Sequence, residues 1–597
     1  MALNVALVVV TPAGLETARA LKAALPGAVL HGLDGRVEGD VSFSDTGAHL
    51  RALFAARTPI VGVCAAGILI RALAPVLGDK HAEPPVLAVA VDGSSVVPLL
   101  GGHHGANALA RDIGKDLGVA PALTTAGELA LGVALDDPPA GWKVGNPAAA
   151  KSVTAALLAE EPVGLEIDAG EAGWLSGISF VPEATPRIRV TDRAMAADDH
   201  ELVLHPPVLA LGVGCERNAP AEELIALVDG VLAQEALSPK AIACVASIDL
   251  KADEAAVHAL AAHLGVPARF FAPAELEAEA PRLANPSAVV FAETGCHGVS
   301  EGAALAAAGA DAALIVPKVK GARTTMALAR SPRAIDAAAK GRARGRLFVV
   351  GIGPGTPDWR SPQSSAAIEA SGDLVGYGLY LDLLGRAAEG KQRHESALGA
   401  EEARAARALD LAAEGRTVSL VCSGDPGIYA LATLVFELLD RRKRADWNRV
   451  EITVVPGISA FQAAAARAGA PVNHDFCTIS LSDLLTPWED IEKRLKAAAA
   501  ADFVVCFYNP VSQRRRDQLP RARDILLTGR GPDTPVILAR QLGRPGETVE
   551  VIRLADLDAD RVDMLTMVVV GSSETRTFAA GTNTWTYTPR GYGKKME

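Results

Sequence analysis

Short β-branched runs that end in glycine or proline recur along the chain, and each leads into an Ala/Leu-rich stretch with helical spacing. In the first half these runs are Asn4–Val10, Thr58–Val63, Val86–Val91, Val208–Val213, Ala241–Ile248 and Ala312–Val316. In the second half they are Leu347–Ile352, Val418–Cys422, Val450–Val455, Phe503–Tyr508, Pro535–Ala539 and Met567–Val570. This strand–loop–helix alternation predicts α/β domains with largely parallel sheets. Functional residues are then expected in the loops just after strand carboxyl ends.

Turn-rich breaks divide the pattern. One lies at Asp137–Pro147, another at Pro206-Pro207, and the clearest is the basic, glycine-bearing stretch 331–346. The expected organisation is 1–125, a middle region 126–205, a further α/β domain 206–330, a solvated connector 331–346, and a second functional unit 347–597. At about 150 residues per domain, the 597-residue length agrees with roughly four globular units.

Composition narrows the class. The chain is 49% hydrophobic with only 4% aromatics, so its apolar positions are mostly small and aliphatic, as helices packed on sheets require. No apolar run reaches the roughly 18 residues of a membrane span. The Leu3–Val10 run lacks a preceding basic segment, so it reads as a strand and not as a signal peptide. Seven scattered cysteines without a CxxC pair point to thiols in a reducing cytoplasm. A net charge of −12 argues against a nucleic-acid partner and leaves room for a local basic pocket.

Candidate chemistry in the second half begins at Gly351-Ile-Gly353-Pro354-Gly355, directly after a strand. A G-x-G loop lets backbone amides approach a ligand, and a dinucleotide site is the first thought. Pro354 and Pro357 interrupt the helix such a site needs, and no Walker lysine follows. Further strands end in Ser423-Gly424-Asp425-Pro426-Gly427-Ile428-Tyr429 and in Pro456-Gly457-Ile-Ser459. Asn473-His474-Asp475-Phe476 leads to Leu481-Ser-Asp483-Leu-Leu-Thr-Pro-Trp488. Then come Phe507-Tyr508-Asn509-Pro510, Arg540-Gln-Leu-Gly543-Arg544 and Thr566-Met567-Val568.

This ordered set resembles the tetrapyrrole (corrin) methyltransferases, and its N-H-D-F, L-S-D-L-L-T-P-W and F-Y-N-P stretches resemble the precorrin-3B C-17 methyltransferase branch. The resemblance implies two α/β subdomains with S-adenosylmethionine in the cleft between them, and typically a homodimer. It places Pro354 at the start of the tetrapyrrole trough. Around the cofactor it places Gly424, Asp425, Ile428, Tyr429, Ser459, Leu481, Tyr508, Gly543, Thr566 and Met567. Ring contraction coupled to methylation needs proton transfer, for which Asp425, His474, Asp483 and Tyr508 are candidates. Arg540 and Arg544 are candidates for substrate carboxylates, whereas Arg514-Arg515-Arg516 reads as a solvated helix face.

In the first half, Gly101-Gly-His103-His104-Gly105-Ala-Asn107 places two histidines in a glycine loop before a helix over 108–117. Adjacent histidines rarely chelate one ion and no carboxylate stands at helical spacing, so no metal is expected. Farther on come Gly214-Cys-Glu216-Arg217, His297-Gly-Val-Ser300-Glu301 and Val316-Pro-Lys318. These loops resemble the cobalt-precorrin-5A hydrolase (CbiG) family, whose reaction opens a δ-lactone and releases acetaldehyde. Under that resemblance His103, His104, His297 and Glu301 are candidate bases, and Lys318 is a candidate carboxylate or oxyanion partner. No GxSxG elbow appears, so a covalent acyl-enzyme is not favoured. The expected whole is a cytoplasmic α/β fusion that acts on precorrins. A non-catalytic corrinoid-binding first half and an NAD-linked oxidoreductase remain as alternatives.

Overall fold

The computed structural model describes residues 5–25, 27–78, 83–124, 130–196, 198–397 and 399–591, with the His103 side chain also outside the description. The chain divides into two compact units, Met1–Arg344 and Gly345–Glu597.

The first unit holds three sheets. Strands Val41–Phe43, Val29–Leu33, Ala6–Val9, Ile60–Val63, Val86–Val89 and Val96–Leu100 lie side by side in that order. All neighbours are parallel except the last pair. The run from Val5 to Val10 is apolar throughout because both sheet faces are covered: Leu7 and Val9 join one buried cluster, and Ala6 and Val8 another. The expected division at 125/126 falls outside the described residues. Four short strands, Lys143–Val144, Glu201–His205, Arg187–Val190 and Gly164–Ile167, form the second sheet over a core that includes Trp142, Val153 and Ile188.

The third sheet runs Ala268–Phe271, Ile242–Ile248, Leu209–Cys215, Thr324–Arg330, Ala313–Lys320. Its first three strands are parallel, and a hairpin closes the other edge.

The expected solvated connector needs correction. Ser331 N donates to Val208 O (2.9 Å), and Phe270 and Arg342 exchange backbone hydrogen bonds of 2.7 Å. The Arg269 guanidinium also donates to the carbonyls of Ala338, Lys340 and Gly341. Segment 331–342 is therefore tied to the third sheet at both ends, with Arg342 bridging its edge strand. Its backbone groups pair there because an open sheet edge offers unsatisfied partners.

The second unit begins with a parallel sheet: Gln392–Ser396, Asp373–Tyr377, Thr417–Cys422, Arg346–Gly351, Glu451–Val455. A second sheet runs Phe476–Ser480, Val504–Tyr508, Thr566–Val570, Pro535–Arg540, Thr548–Arg553. Only its first pair is parallel, which corrects the expectation of largely parallel sheets there. The loop 541–547 is too short for a crossover, so Thr548–Arg553 returns as a hairpin. Among the described residues no helix is long and apolar enough to cross a membrane, and no three His, Cys, Asp or Glu side chains gather as a metal set.

Candidate functional site

Strands Arg346–Gly351, Thr417–Cys422 and Glu451–Val455 are parallel neighbours, so the loops that follow them meet at one end of the sheet. They meet backbone to backbone. Gly353 and Gly424 form an antiparallel bridge, with Gly424 N donating to Gly353 O at 2.8 Å. A Cβ on Gly351 would come within 2.8 Å of Gly457 N, and one on Gly457 would collide with Gly424 O. Asp425 fastens the corner: Oδ1 accepts from Gly427 N (2.8 Å) and Oδ2 from Gly457 N (3.0 Å). Asp425 is thus a loop clasp. Both of its oxygens hold a backbone donor, so the carboxylate is positioned by the loops it joins.

Above this corner lies an open cradle. Gly424 has φ +67°, and a Cβ there would meet nothing closer than 3.9 Å. What faces it is the start of the helix Ala460–Ala468, with Ser459 as its N-cap. Gln462 Oε1 accepts from Ser459 N (2.9 Å). The Ser459 hydroxyl is buried and has no hydrogen-bond partner of ordinary geometry among the described residues. An unsatisfied buried hydroxyl at a helix N-terminus is a cost that a polar ligand would remove.

The second sheet closes the other side. Ile428, Trp359 and Tyr508 pack against one buried cluster that contains Phe461, Met567 and Val569. Tyr429, with φ +50°, donates its hydroxyl to Thr478 O (3.0 Å), and its ring lies 5.0 Å from that of Tyr508. Burial pushes the Tyr508 phenol up to about 12, against hydrogen bonding by the Phe461 backbone and the Ser459 hydroxyl that acts the other way. The phenol is therefore a neutral donor at physiological pH. Leu481 is fully buried behind it, with its N–H donating to Tyr508 O (2.9 Å).

The arginines are bonded to neighbouring loops. Arg544 donates from Nε to Pro354 O (2.9 Å) and from Nη2 to Ser423 Oγ (3.2 Å), tying the first two loops to the Gly543 loop. Arg540 donates to Asp563 Oδ2 (2.6 Å), whose other oxygen accepts from Thr566 Oγ1 (2.7 Å). Both guanidiniums are bonded within the protein through part of their donor set, so their positions are fixed by the surrounding loops.

His474 and Asp483 lie on exposed loops. His474 Nδ1 accepts from Asp475 N (2.8 Å), and Asp483 accepts from Gln518 Nε2 (2.8 Å). Sequence reasoning missed Arg515. It is buried and joins the two loops by donating to Ser482 Oγ (3.1 Å) and Asn509 O (2.7 Å). It also missed Glu547, which holds Gly543 N (2.6 Å) and Arg467 (2.6 Å), the latter stacked 4.7 Å over Trp359. A triple-Arg run gives no hint of which member turns inward.

The first unit does not gather its predicted residues. His104 is exposed on the turn Gly102–His104 beside the first sheet, whereas Glu301 and Lys318 belong to the third. Glu301 is 1% exposed and accepts from Ala284 N, Asn285 N, Asn285 Nδ2 and Lys318 N, all at 2.8–2.9 Å. Burial alone would raise its carboxyl, yet these donors outweigh it and hold it below the ordinary glutamate range. Glu301 is a structural anion, which corrects its reading as a base. Lys318 Nζ donates to Asn285 O (3.2 Å), in the same loop network.

Comparison with known proteins agrees with this division. Residues 346–558 match the family described as Tetrapyrrole (Corrin/Porphyrin) Methylases. Residues 209–329 match Cobalamin synthesis G C-terminus, and 48–128 match Cobalamin synthesis G N-terminal. A precorrin-3B C(17)-methyltransferase from Sinorhizobium sp is 44% identical over 249 residues, 42% of this chain and 97% of that protein. The cobalamin biosynthesis protein CobIJ of Mycobacterium bovis is 44% identical over 252 residues. That match covers 42% of this chain and about half (48%) of the mycobacterial protein. The crystal structure of the methyltransferase CobJ aligns at 42% identity over 41% of this chain and 100% of its own, with a TM-score of 0.39. The chain belongs to the tetrapyrrole methylase family through its second unit, and carries both cobalamin synthesis G regions in its first.

Proposed function

We propose that the second unit methylates precorrin-3B at C-17 with ring contraction, using S-adenosylmethionine, and that the first unit opens a corrinoid lactone. The observation that carries the methylase reading is the buried Ser459 hydroxyl, which has no well-formed hydrogen bond, opposite Gly424, where there is room for a Cβ. That pairing fits a ligand with both polar and apolar parts. Ser459, Gly424, Ile428, Tyr508 and Met567 would hold the cofactor, and the Gly353-Pro354-Gly355 loop would begin the tetrapyrrole trough. The cofactor supplies a methyl group on a sulfonium that is its own leaving group. The protein's task is then to orient two large reactants and exclude water. Tyr508, neutral and beside Ser459, can hold a proton at a substrate oxygen or nitrogen during contraction. His474 and Asp483, on exposed loops, are the remaining candidates for moving it.

Full-length protein incubated with S-adenosylmethionine and precorrin-3B should give a product of the mass and spectrum of precorrin-4. Unchanged precorrin-3B would reject the reading. Calorimetric binding of a nicotinamide dinucleotide but not of S-adenosylmethionine would favour an oxidoreductase. For the first unit, a lactone-bearing corrinoid should yield acetaldehyde. The immobilised Glu301 favours one competing reading, a corrinoid-binding module, which would bind and release nothing.

A further inference from the structure

Between the second and third sheets of the first unit lies a cavity of about 190 Å³, lined in part by Gly145, Asn146, Met195, His205, Ser238 and Lys240. None of these residues carried a role in the sequence motifs. His205 ends the strand Glu201–His205 and is buried. Its Nδ1 lies 2.8 Å from Thr191 O, a carbonyl that can only accept, so Nδ1 carries the proton and Nε2 presents a lone pair. That lone pair faces Ser238 Oγ at 3.3 Å. A serine hydroxyl directed at an imidazole whose far nitrogen is fixed by an acceptor is the arrangement of an activated nucleophile.

The surroundings keep the base in its working form. Burial lowers the His205 pKa, the Thr191 carbonyl raises it, the Lys240 ammonium lowers it and the Asp192 carboxylate raises it. The net shift is downward, so the imidazole is neutral at physiological pH. Asp192 is itself paired with Arg330 (2.5 Å). Lys240 Nζ is held by the carbonyls of Val144 (3.0 Å) and Gly145 (2.9 Å), which fixes a positive charge at the cavity wall. The Lys240 ammonium favours an anionic ligand here. Gly145 leaves room for the pair, since a Cβ would lie 3.1 Å from His205 Nε2.

We propose that Ser238 and His205 form a serine-type acyl-transfer centre for an ester or lactone carbonyl on a carboxylate-bearing molecule. The choice of a lactone rests on the hydrolytic reading of the first unit; the dyad itself does not. Ser238 Oγ forms a bond to the carbonyl carbon as its proton passes to His205 Nε2. The Lys240 ammonium faces the oxyanion. Collapse breaks the carbon–oxygen bond to the alkoxide, which takes the proton from His205 and leaves an acyl-serine. Solvent water, deprotonated by His205, then releases the carboxylic acid and restores Ser238. This revises the expectation that no covalent acyl-enzyme forms.

Treating full-length protein with a fluorophosphonate probe tests it: an Oγ–P bond forms and fluoride leaves. One adduct should map by peptide mass spectrometry to Ser238. It should vanish in Ser238→Ala and form at least 100-fold more slowly in His205→Gln, with S-adenosylmethionine binding by the second unit unchanged. Absence of an adduct at Ser238, or an unchanged rate in folded His205→Gln, overturns the proposal. If His205→Gln does not fold, Ser238→Cys decides. Its thiol should react with iodoacetamide at least 10-fold faster than the seven native cysteines, and an equal rate overturns the proposal. Labelling at Ser238 without acetaldehyde release would keep the dyad and reject the lactone. Acetaldehyde release undiminished in Ser238→Ala would do the reverse.

Discussion

Each unit carries a glycine on a central strand, and the two glycines work differently. In the first unit, Gly212 lies on the strand Leu209–Cys215, and a Cβ there would collide with Ser300 O and lie 2.5 Å from Ala304 N of the helix Val299–Ala308. The missing side chain lets a helix sit directly on the sheet. In the second unit, Gly351 and Gly457 bring three loops together, and Gly424 then faces the start of the helix Ala460–Ala468 with room for a Cβ at ordinary contact distance. The same residue type serves close packing in one place and, in the proposed function, a ligand cradle in the other. What separates them is distance: helix backbone leaves no room for a Cβ at Gly212, whereas at Gly424 the nearest backbone, around the buried Ser459, stands 3.9 Å away.

The strongest way to break this contrast is Gly212→Val. With no room for a Cβ, the variant should lose roughly 3 kcal/mol or more. Its first-unit melting transition should fall or disappear, while the second unit keeps its affinity for S-adenosylmethionine. A first unit that melts normally would show that the helix can retreat.

Glu301→Gln comes next. An amide presents a donor where four N–H groups converge, so about 1–3 kcal/mol should be lost at neutral pH. The pH dependence has a definite sign. The carboxyl titrates below its ordinary value, so its contribution is present above about pH 4.5 and is lost as pH falls through the lower folded value. Melting curves of the wild type should drop through that acid window, and those of Glu301→Gln should drop less. Parallel curves would remove Glu301 as the cause.

Gly424→Ala should do the opposite of Gly212→Val. The positive φ costs about 1 kcal/mol for alanine, and space is available. Titration calorimetry should show at least a ~10-fold loss of S-adenosylmethionine affinity, about 1.4 kcal/mol, with little change in melting. Normal affinity would mean that the cradle is not the cofactor site. The smallest expected effect is on the fold in Ser459→Ala. Removing a buried hydroxyl that has no well-formed hydrogen bond should leave the ligand-free melting temperature within about 1 °C, since only a poorly aligned contact with Tyr508 is lost. The stabilisation added by S-adenosylmethionine should nevertheless shrink. If both forms are stabilised equally, the hydroxyl does not meet the ligand.

Much of this architecture was legible because strand periodicity is local. Leu347–Ile352 and Val418–Cys422 are found as Arg346–Gly351 and Thr417–Cys422. Short antiparallel returns such as Thr548–Arg553 were not, since an exposed edge strand carries little hydrophobic signal. The segment around Arg342 looked like solvated chain because its pairing partner, Phe270, is 72 residues away and its bonds are backbone bonds. Site residues followed the same rule. Glycines after strands were visible, but the state of a carboxylate or guanidinium was not. Arg515 and Arg516 are neighbours in sequence, yet only Arg515 is buried between two loops.

By itself the sequence determined the alternation of strands and helices, the two-unit order and the family of the second unit, because each is carried by residues close together in the chain. Only the tertiary structure decided which polar groups are already satisfied. Asp425, Glu301, Arg540 and Arg544 look like chemistry in sequence and prove to be bonded within the protein. Ser459 has no well-formed hydrogen bond, and Ser238 meets a histidine 33 positions away. The reason is physical: the reactivity of a side chain depends on its partners and burial, and those come from segments that only the fold brings together.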